Sequence, residues 1–421
     1  MEVSRGPLDG LVVMRFALTL KDAGGIEEHL RNVNRVLLER SQMTIIQLYI
    51  ASDEEEHSTT HIPMGRGRVI LVPIQPNKMA RPERSIVVST LFKLYPWLGE
   101  GFFRTLASKL GTVAMGMPFL RNRGGSMRFF CHEPGEMITR LFKQHLFHLA
   151  VLHSVGSLDD IEVISVLSKL GVPIAAIHHY DNQRLAHPLM RLMLQNAAAI
   201  GGISNVRVPR YLQNRFIRIT SGIDTDFYQV GKASTLASSD GEFLILLPAR
   251  IEHGKGHLDL VEAVSLLNRE GYRVKLAFAG RTDSKATKGE IVAAINRLDD
   301  PGQVLFLGKL DPITLRDWYA MCDVVVLPSY SEGLGRVLLE AQSMKRPVVA
   351  YAVGGVSEAM RHGETGFLIR KGDISSLANR LREFILDRSL ACRMGELGRS
   401  FIEQQFSLWQ SAKSHEEFYI S

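Results

Sequence analysis

Two stretches of this sequence carry side chains at spacings suited to chemistry. Pro328 to Glu340, PSYSEGLGRVLLE, places the carboxylates of Glu332 and Glu340 on either side of seven residues that include Gly333 and Gly335. On its own this is a glycine-broken loop flanked by a candidate acid/base pair. Leu246 to His257, LLPARIEHGKGH, ends an apolar run with Arg250 and reaches Lys255 through a glycine-containing loop. Two cations at the carboxyl end of a strand, close to a helix start, can bind a diphosphate and stabilise the charge that develops as it leaves. An isolated surface Arg and Lys are ordinarily just solvated, so the meaning of the pair depends on its company. GLGRVL is not a dinucleotide fingerprint, because the third glycine is missing and no acidic residue ends the next strand.

The elements that must position these residues alternate along the chain. LVVMRFAL (Leu11 to Leu18) reads as a strand, TLKDAGG as a loop and IEEHLRNVNRVLLER as a helix, the opening of a βαβ unit. Apolar runs at Thr44 to Ile50, Val69 to Ile74, Phe147 to His153 and Pro173 to Ile177 alternate with helical stretches such as Asp159 to Leu170, the pattern of a parallel sheet covered by helices. Phe216 to Phe227, FIRITSGIDTDF, reads as a turn-rich connection, after which strands restart at Phe243 and the alternation repeats to Tyr351. The expected class is α/β, two doubly wound domains joined near residue 225 with the ligand site in the cleft between them. Residues 76–146 break the alternation. LFKLYPWLGEGFFRTLASKLG (Leu91 to Gly111) is basic and amphipathic, which suits either a helical insertion packed on its own domain or an anionic membrane interface.

Composition fits a folded soluble protein: of 421 residues, 45% are apolar and 22% charged. The length exceeds one ordinary core and favours two domains. The net charge of +6 is unevenly placed. Residues 1–220 hold 26 Lys and Arg against 18 Asp and Glu, a net of +8, whereas residues 221–421 hold 24 against 26, a net of −2. A basic half admits an acidic acceptor or an anionic membrane surface; nucleic acid is disfavoured because no RNA- or DNA-reading motif accompanies the charge. The first residues, MEVSRGPLDG, lack the features of a secretory signal, and no apolar run reaches membrane-spanning length, so a cytoplasmic location is expected, with peripheral contact at the inner face of a membrane as an extension of it. Cys131, Cys322 and Cys392 have no metal-binding spacing and read as reduced thiols.

Continued along the chain, PARIEHGKG, FLGKL, EGLGRVLLE, PVVAYAVGG and the turn GETGFLI follow one another across Leu244 to Ile369. In order and spacing they resemble the retaining glycosyltransferases of family 4, the glycosyl transferases of group 1. Weaker matches extend the resemblance to Gly24 and Gly25 before the first helix, to SGID at Ser221 to Asp224 and to a terminal helix in QQFSLWQSAKSHEEFY. The resemblance implies the GT-B fold: an acceptor-side Rossmann-like domain over residues 1–225, a donor-binding one over 226–404, and a terminal helix at 405–421 returning to the first. It implies donor contacts from Gly24, Gly25, Arg250, Lys255, Glu332, Gly333, Leu334, Gly335, Arg336 and Glu340. Glu340 would take the ribose hydroxyls, Arg250 and Lys255 the diphosphate, and Glu332 the donor sugar. Physical chemistry agrees with that division. A carboxylate accepts two hydrogen bonds from a vicinal diol, while beside a phosphate it would meet like charge.

The family also implies a histidine in the cleft. His178 and His179, after the strand PIAAI, are favoured over His153 at the end of FHLAVLHS, because Ser154 and Val155 follow where many members have His-x-His. Asp224, Thr225 and Asp226 form a D-x-D, the metal signature of the other glycosyltransferase fold. At the domain connection it reads as a turn cap instead, and no metal or cofactor is expected. The implied reaction is transfer of a hexose from a UDP- or GDP-linked sugar to a hydroxyl of a glycan or lipid-linked acceptor, in surface polysaccharide or glycolipid synthesis. A nucleotide-sugar 2-epimerase or hydrolase on the same fold, or a non-catalytic nucleotide-sugar-binding subunit, are the alternatives.

Overall fold

The computed structural model describes residues 7–20, 25–50, 59–74, 134–153, 158–179, 197–232 and 242–421, together with Leu185, Arg191, Leu194 and Gln195. Gly24 and residues 76–133 of the basic segment lie outside the described residues.

The first domain is built on an eight-stranded sheet. Its strands are β1 (Val12–Leu20), β2 (Thr44–Ile50), β3 (Thr60–Met64), β4 (Gly67–Ile74), β5 (Leu149–His153), β6 (Ile174–His178), β7 (Ala199–Gly202) and β8 (Phe216–Arg218), in the order β3-β4-β2-β1-β5-β6-β7-β8. All neighbours are parallel except β3, which runs antiparallel to β4. Helices α1 (Gly25–Arg40), α2 (Pro134–His145) and α3 (Leu158–Lys169) supply crossovers. α1 shows why such a segment docks: Leu30, Val33, Leu37 and Leu38 are buried, while Arg31, Arg35, Glu39 and Arg40 are exposed, the helical period of an amphipathic face.

Three strands of this sheet were not legible as apolar runs. β3 is an edge strand carrying Pro63 with a mostly exposed pattern, and it joins β4 through a tight turn at Gly65, whose φ is +57°. β7 has only four residues, two of them glycine. β8 is three half-buried residues inside what reads as a connection. Tertiary pairing rather than local pattern makes each of them a strand.

The second domain repeats the scheme without an antiparallel edge. Strands β9 (Phe243–Leu247), β10 (Val274–Ala279), β11 (Val304–Gly308), β12 (Val324–Leu327), β13 (Val348–Tyr351) and β14 (Gly366–Ile369) are ordered β11-β10-β9-β12-β13-β14 and all pair in parallel. The GETGFLI segment, read from sequence as a turn, supplies the edge strand β14. Helices α4 (His257–Arg269), α5 (Lys285–Ile295), α6 (Pro312–Met321), α7 (Arg336–Ser343), α8 (Ile374–Leu386) and α9 (Arg388–Gln405) enclose the sheet. Four of them start at local caps, with Ser284, Asp311, Asp373 and Asp387 accepting from backbone N–H groups of the first turn. Among the described residues no helix is long and apolar enough to cross a membrane.

The last helix, α10 (Leu408–Ile420), packs on the first domain: Ala412, Phe418 and Tyr419 are buried with Val13, Ile45, Val151 and Ile177. The connection between the sheets is fixed from two sides. Ser411 Oγ donates to Thr220 O at 2.6 Å and Ser414 Oγ accepts from Thr220 N at 3.0 Å. Arg399 of α9 directs one guanidinium nitrogen at Thr225 O, Tyr228 O and Ser343 O, at 3.1, 2.6 and 2.9 Å. Hydrogen bonds from a charged donor contribute more than neutral ones, and three carbonyls lose theirs together if the guanidinium is removed. Arg399→Met should therefore destabilise the protein by about 2 kcal/mol, read as a lowered urea midpoint with an unchanged slope; an unaltered midpoint would show that the connection does not depend on this residue.

Candidate functional site

In an open parallel sheet, ligands bind outside the carboxyl ends of the strands, where neighbouring crossovers run in opposite directions and leave a crevice. Setting aside β3, both sheets have that reversal at one place: between β1 and β5 in the first domain and between β9 and β12 in the second. Among the described residues, Gly25 starts the helix after β1, Arg250 and Lys255 lie on the loop after β9, Glu332 to Glu340 lie on the loop and helix after β12, and His153 and His178 end β5 and β6.

In the second domain, β9 and β12 are hydrogen-bonded neighbours, with Ile245 opposite Val324. The loops after them therefore meet, and Tyr330 N donates to Gly254 O at 2.8 Å. This brings Lys255 Nζ within 2.6 Å of Glu332 Oε1, with both side chains largely buried. Arg250, at 46% side-chain exposure, is held by Glu252 at 2.7 Å and Asp283 at 2.8 Å. Both cations are thus balanced by carboxylates at the mouth of the crevice. An incoming anion would have to exchange partners with them, which costs little for the exposed Arg250 and, for the largely buried Lys255–Glu332 pair, requires that the anion replace the carboxylate's charge.

The glycine loop ends at Gly335, which N-caps α7 in the left-handed region at φ 79°, ψ 61°. Only glycine adopts that conformation freely, and it turns the chain so that α7 starts at Arg336; Leu338 N donates back to Gly335 O at 2.9 Å, which leaves the N–H groups of Arg336 and Val337 for an anion. Leu334 faces inward and is buried. One turn along, Glu340 is buried too. Tyr319, at the end of α6 and fully buried, donates its hydroxyl to Glu340 Oε2 at 2.9 Å, and Arg336 Nε lies 3.7 Å from Oε1. Burial, followed by the charge of Glu340, pushes the Tyr319 phenol well above its ordinary value, so it stays a donor. The two glutamates consequently have different surroundings: Glu332 faces a lysine at the crevice, whereas Glu340 is set in orientation by a phenol and a guanidinium.

In the first domain, strand alternation decides which histidine is where. Val151 and Ile177 point into the layer beneath α1 and α10, and His153 and His179, two residues further on, follow them. Their rings stack at 5.1 Å and His153 Nδ1 lies 2.8 Å from His179 Nε2. His178 alternates to the other face, with Ile174 and Ala176. Of the three histidines, the structure therefore joins His153 and His179, the less favoured and one of the more favoured, and sets His178 apart. His153 Nε2 is buried and has no hydrogen-bond partner among the described residues.

Around the pair lies a buried polar layer that the sequence did not announce. Arg15 of β1, opposite Val151, is fully buried and donates to Asn34 of α1 and to the Tyr419 hydroxyl of α10. His29 of α1 sits 5.4 Å from His415 of α10 and 6.4 Å from His179, ring to ring, and His415 donates Nδ1–H to Ser411 O at 2.9 Å. Burial first, and then neighbouring positive groups including Arg15, hold these imidazoles neutral. His179 and His415 are lowered to about 3, and His29 and His153 well below the usual histidine range. The Arg336 guanidinium from across the cleft contributes at His29. Four histidines and an arginine drawn from β1, α1, β5, the end of β6 and α10 share no sequence spacing, which is why pattern reading found only two of them.

Asp224 accepts from Phe227 N at 3.0 Å and pairs with Arg35 at 2.8 Å, so the D-x-D lies in a turn with its first carboxylate occupied. Among the described residues no group of three or more His, Cys, Asp or Glu is arranged to hold a metal ion. Gly24 lies outside the described residues, and Gly25 is the first residue of α1.

Residues 233–401 match the family described as Glycosyl transferases group 1, so the second domain carries a domain of that kind. The capsular polysaccharide biosynthesis glycosyltransferase CapM of Staphylococcus aureus is 32% identical over 175 residues, 41% of this chain and 45% of that protein. N-acetyl-alpha-D-glucosaminyl L-malate synthase of Bacillus anthracis is 30% identical over 181 residues, 43% of this chain and 46% of that protein. The chain thus spans less than half the length of these curated relatives. Solved structures match nearly end to end. Sucrose-phosphate synthase of Thermosynechococcus elongatus superposes with a TM-score of 0.69 at 18% identity, covering 97% of this chain and 98% of that one. HepE of Anabaena, solved with UDP and glucose, superposes with a TM-score of 0.64 at 17% identity, covering 97% and 99%. The fold is GT-B.

The buried histidines make a pH prediction with a definite sign. Their folded values lie below the unfolded value of about 6.5, so between the two the unfolded chain binds more protons. Their contribution to stability is intact above about pH 6.5 and is lost as pH falls from there toward the folded values, about 3 for His179 and His415. The urea midpoint should be flat from pH 8 to 7 and fall between pH 6.5 and 4.5, each histidine contributing at most about 1.4 kcal/mol per pH unit. A midpoint that stays level to pH 4.5 would show these imidazoles to be free to charge in the folded state.

Proposed function

We propose that this chain is a retaining glycosyltransferase that moves a hexose from a nucleotide diphosphate sugar, UDP- or GDP-linked, to a hydroxyl of a glycan or lipid-linked acceptor. The observation that carries the reading is the crevice at β9 and β12, where Arg250 and Lys255 stand beside Glu332 and the glycine-turned start of α7, inside the segment that matches group 1 glycosyltransferases. In this reading Glu340, oriented by Tyr319, accepts the two ribose hydroxyls. The diphosphate takes Lys255 and Arg250 from their carboxylate partners and the N–H groups at the start of α7. Glu332, released from Lys255, turns to the sugar hydroxyls.

The acceptor oxygen attacks the anomeric carbon on the side the diphosphate leaves. The carbon–oxygen bond to the leaving phosphate breaks, and the acceptor proton passes to that phosphate. Lys255 and Arg250 stabilise the negative charge that grows on it, and the neutral His153, braced by His179, offers Nε2 to a hydroxyl of the reacting sugar. HepE, solved with UDP and glucose, makes UDP-glucose the first donor to test. By name CapM serves capsular polysaccharide biosynthesis and the Bacillus anthracis enzyme makes N-acetyl-alpha-D-glucosaminyl L-malate, and a surface polysaccharide or glycolipid hydroxyl is the acceptor class we favour for this chain, at the inner face of a membrane.

Donor binding should raise the melting temperature by mass action, so a thermal-shift panel of UDP-, GDP- and ADP-sugars identifies the base, and no response to any of them would defeat the reading. Lys255→Ala should lower turnover at saturating donor on the order of 10²–10³, with the fold kept, as circular dichroism would verify; full turnover would remove Lys255 from the diphosphate. Activity should be indifferent to EDTA, and a loss restored by manganese would show a metal requirement.

A further inference from the structure

Opposite the donor loop, the segment after β13 forms a short turn, Gly354–Glu358, and its last side chain leaves the second domain altogether. Glu358 Oε1 accepts from Ser204 Oγ at 2.9 Å, Asn205 N at 2.8 Å and Val206 N at 3.1 Å, all in the loop that follows β7 of the first domain. Arg218 of β8 places Nε 3.3 Å from Oε2. One carboxylate thus takes two backbone N–H groups and a hydroxyl in a concave loop, a geometry suited to an anion, and has a guanidinium on its other oxygen.

The same turn touches the donor loop. Gly355 N donates to Gly333 O at 2.9 Å. A Cβ on Gly355 would lie 2.2 Å from that Gly333 oxygen and 2.7 Å from both Ser204 Cβ and Oγ. Gly355 is therefore the point where the glycine loop, the turn and the first domain are in mutual contact with no room for a side chain. A shift of the turn that carries Gly355 away from Gly333 would release Gly333 O, which lies two residues before Gly335.

We propose that Glu358 is a positioning residue for the donor loop: by fastening the Gly354–Glu358 turn to Ser204, Asn205 and Val206, it holds Gly333 through Gly355 and makes donor affinity depend on the contact between the two domains. This rests on the reading of Glu332 to Glu340 as the donor grip. Glu358 touches no part of that grip itself; its effect passes through Gly355. Hydrogen bonds to a charged acceptor are the strong class, and losing several at once separates the two domains at this edge.

The test compares the full chain with Glu358→Ala, Glu358→Gln and Gly355→Ala by hydrogen exchange and by titration with UDP. In Glu358→Ala, exchange should quicken about tenfold or more, as expected for local opening, at Asn205 and Val206 and also in the peptide 331–338, which Glu358 does not reach. UDP affinity should fall on the order of tenfold, the loss of one strong charged hydrogen bond. Glu358→Gln keeps one acceptor oxygen and should recover part of both effects. Gly355→Ala, which leaves Glu358 intact and forces the same joint apart, should reproduce the change at 331–338. Faster exchange confined to residues 204–206, with 331–338 unchanged in both Glu358→Ala and Gly355→Ala, would overturn the coupling and leave Glu358 a simple tie between domains. If the unaltered protein does not bind UDP, the donor reading fails, while the exchange pattern still decides the coupling.

Discussion

A parallel strand can be followed by another parallel strand only through a crossover, and where successive crossovers turn opposite ways the strand ends between them are left uncovered. This chain meets that constraint twice, at β1 and β5 and again at β9 and β12. Everything chemical in it is arranged around those two openings. The inner strands are mostly apolar because they are buried on both faces; the loops at the carboxyl ends of β9 and β12 are free of that demand and carry Arg250, Lys255 and Glu332, while His153 ends β5 itself. Stability and chemistry are thereby assigned to different parts of the same βα unit.

The two openings solve the problem of holding polar groups differently. In the second domain charges are balanced in pairs at the surface of the crevice, Lys255 with Glu332 and Arg250 with Glu252 and Asp283. The Arg250 pairs are exposed and exchangeable, whereas the largely buried Lys255–Glu332 pair gives up its carboxylate only to another anion. In the first domain the groups are sealed under α1 and α10, and the imidazoles are kept neutral by burial with Arg15 as the fixed charge. Neutral rings in a dry layer give direction to a hydrogen bond without adding charge. The difference follows from the terminal helix: α10 covers the first domain's layer and contributes His415 and Tyr419 to it, and among the described residues no helix covers the second domain's crevice in that way.

The second domain was the more legible from sequence, and the reason is locality. EGLGRVLLE is a loop and the helix it starts, so the spacing of Glu332, Gly335 and Glu340 survives folding as geometry: a left-handed glycine, a helix start and a carboxylate one turn later. PARIEHGKG is likewise a strand end and the loop leaving it. Where local pattern was thin, the reading missed strands: β3 carries a proline on an exposed edge, β7 is half glycine, and β8 and β14 are short segments that read as turns. Their strand character comes from a neighbour's hydrogen bonds, which no window of sequence contains.

The amino-acid sequence by itself determined the alternation of strand and helix, the doubled α/β plan and the identity of the loops that carry charge, because hydrophobic period and glycine placement act over a few residues. Tertiary structure alone decided which side chains share a site. Strand alternation put His153 with His179 and turned His178 away; sheet order set Lys255 against Glu332, 77 residues on; the returning helix closed the layer with His415; and Glu358 met Ser204 across 154 residues. Those contacts depend on strand order and on which face of a sheet a helix covers, and both are fixed by burial over the whole domain rather than by any local spacing.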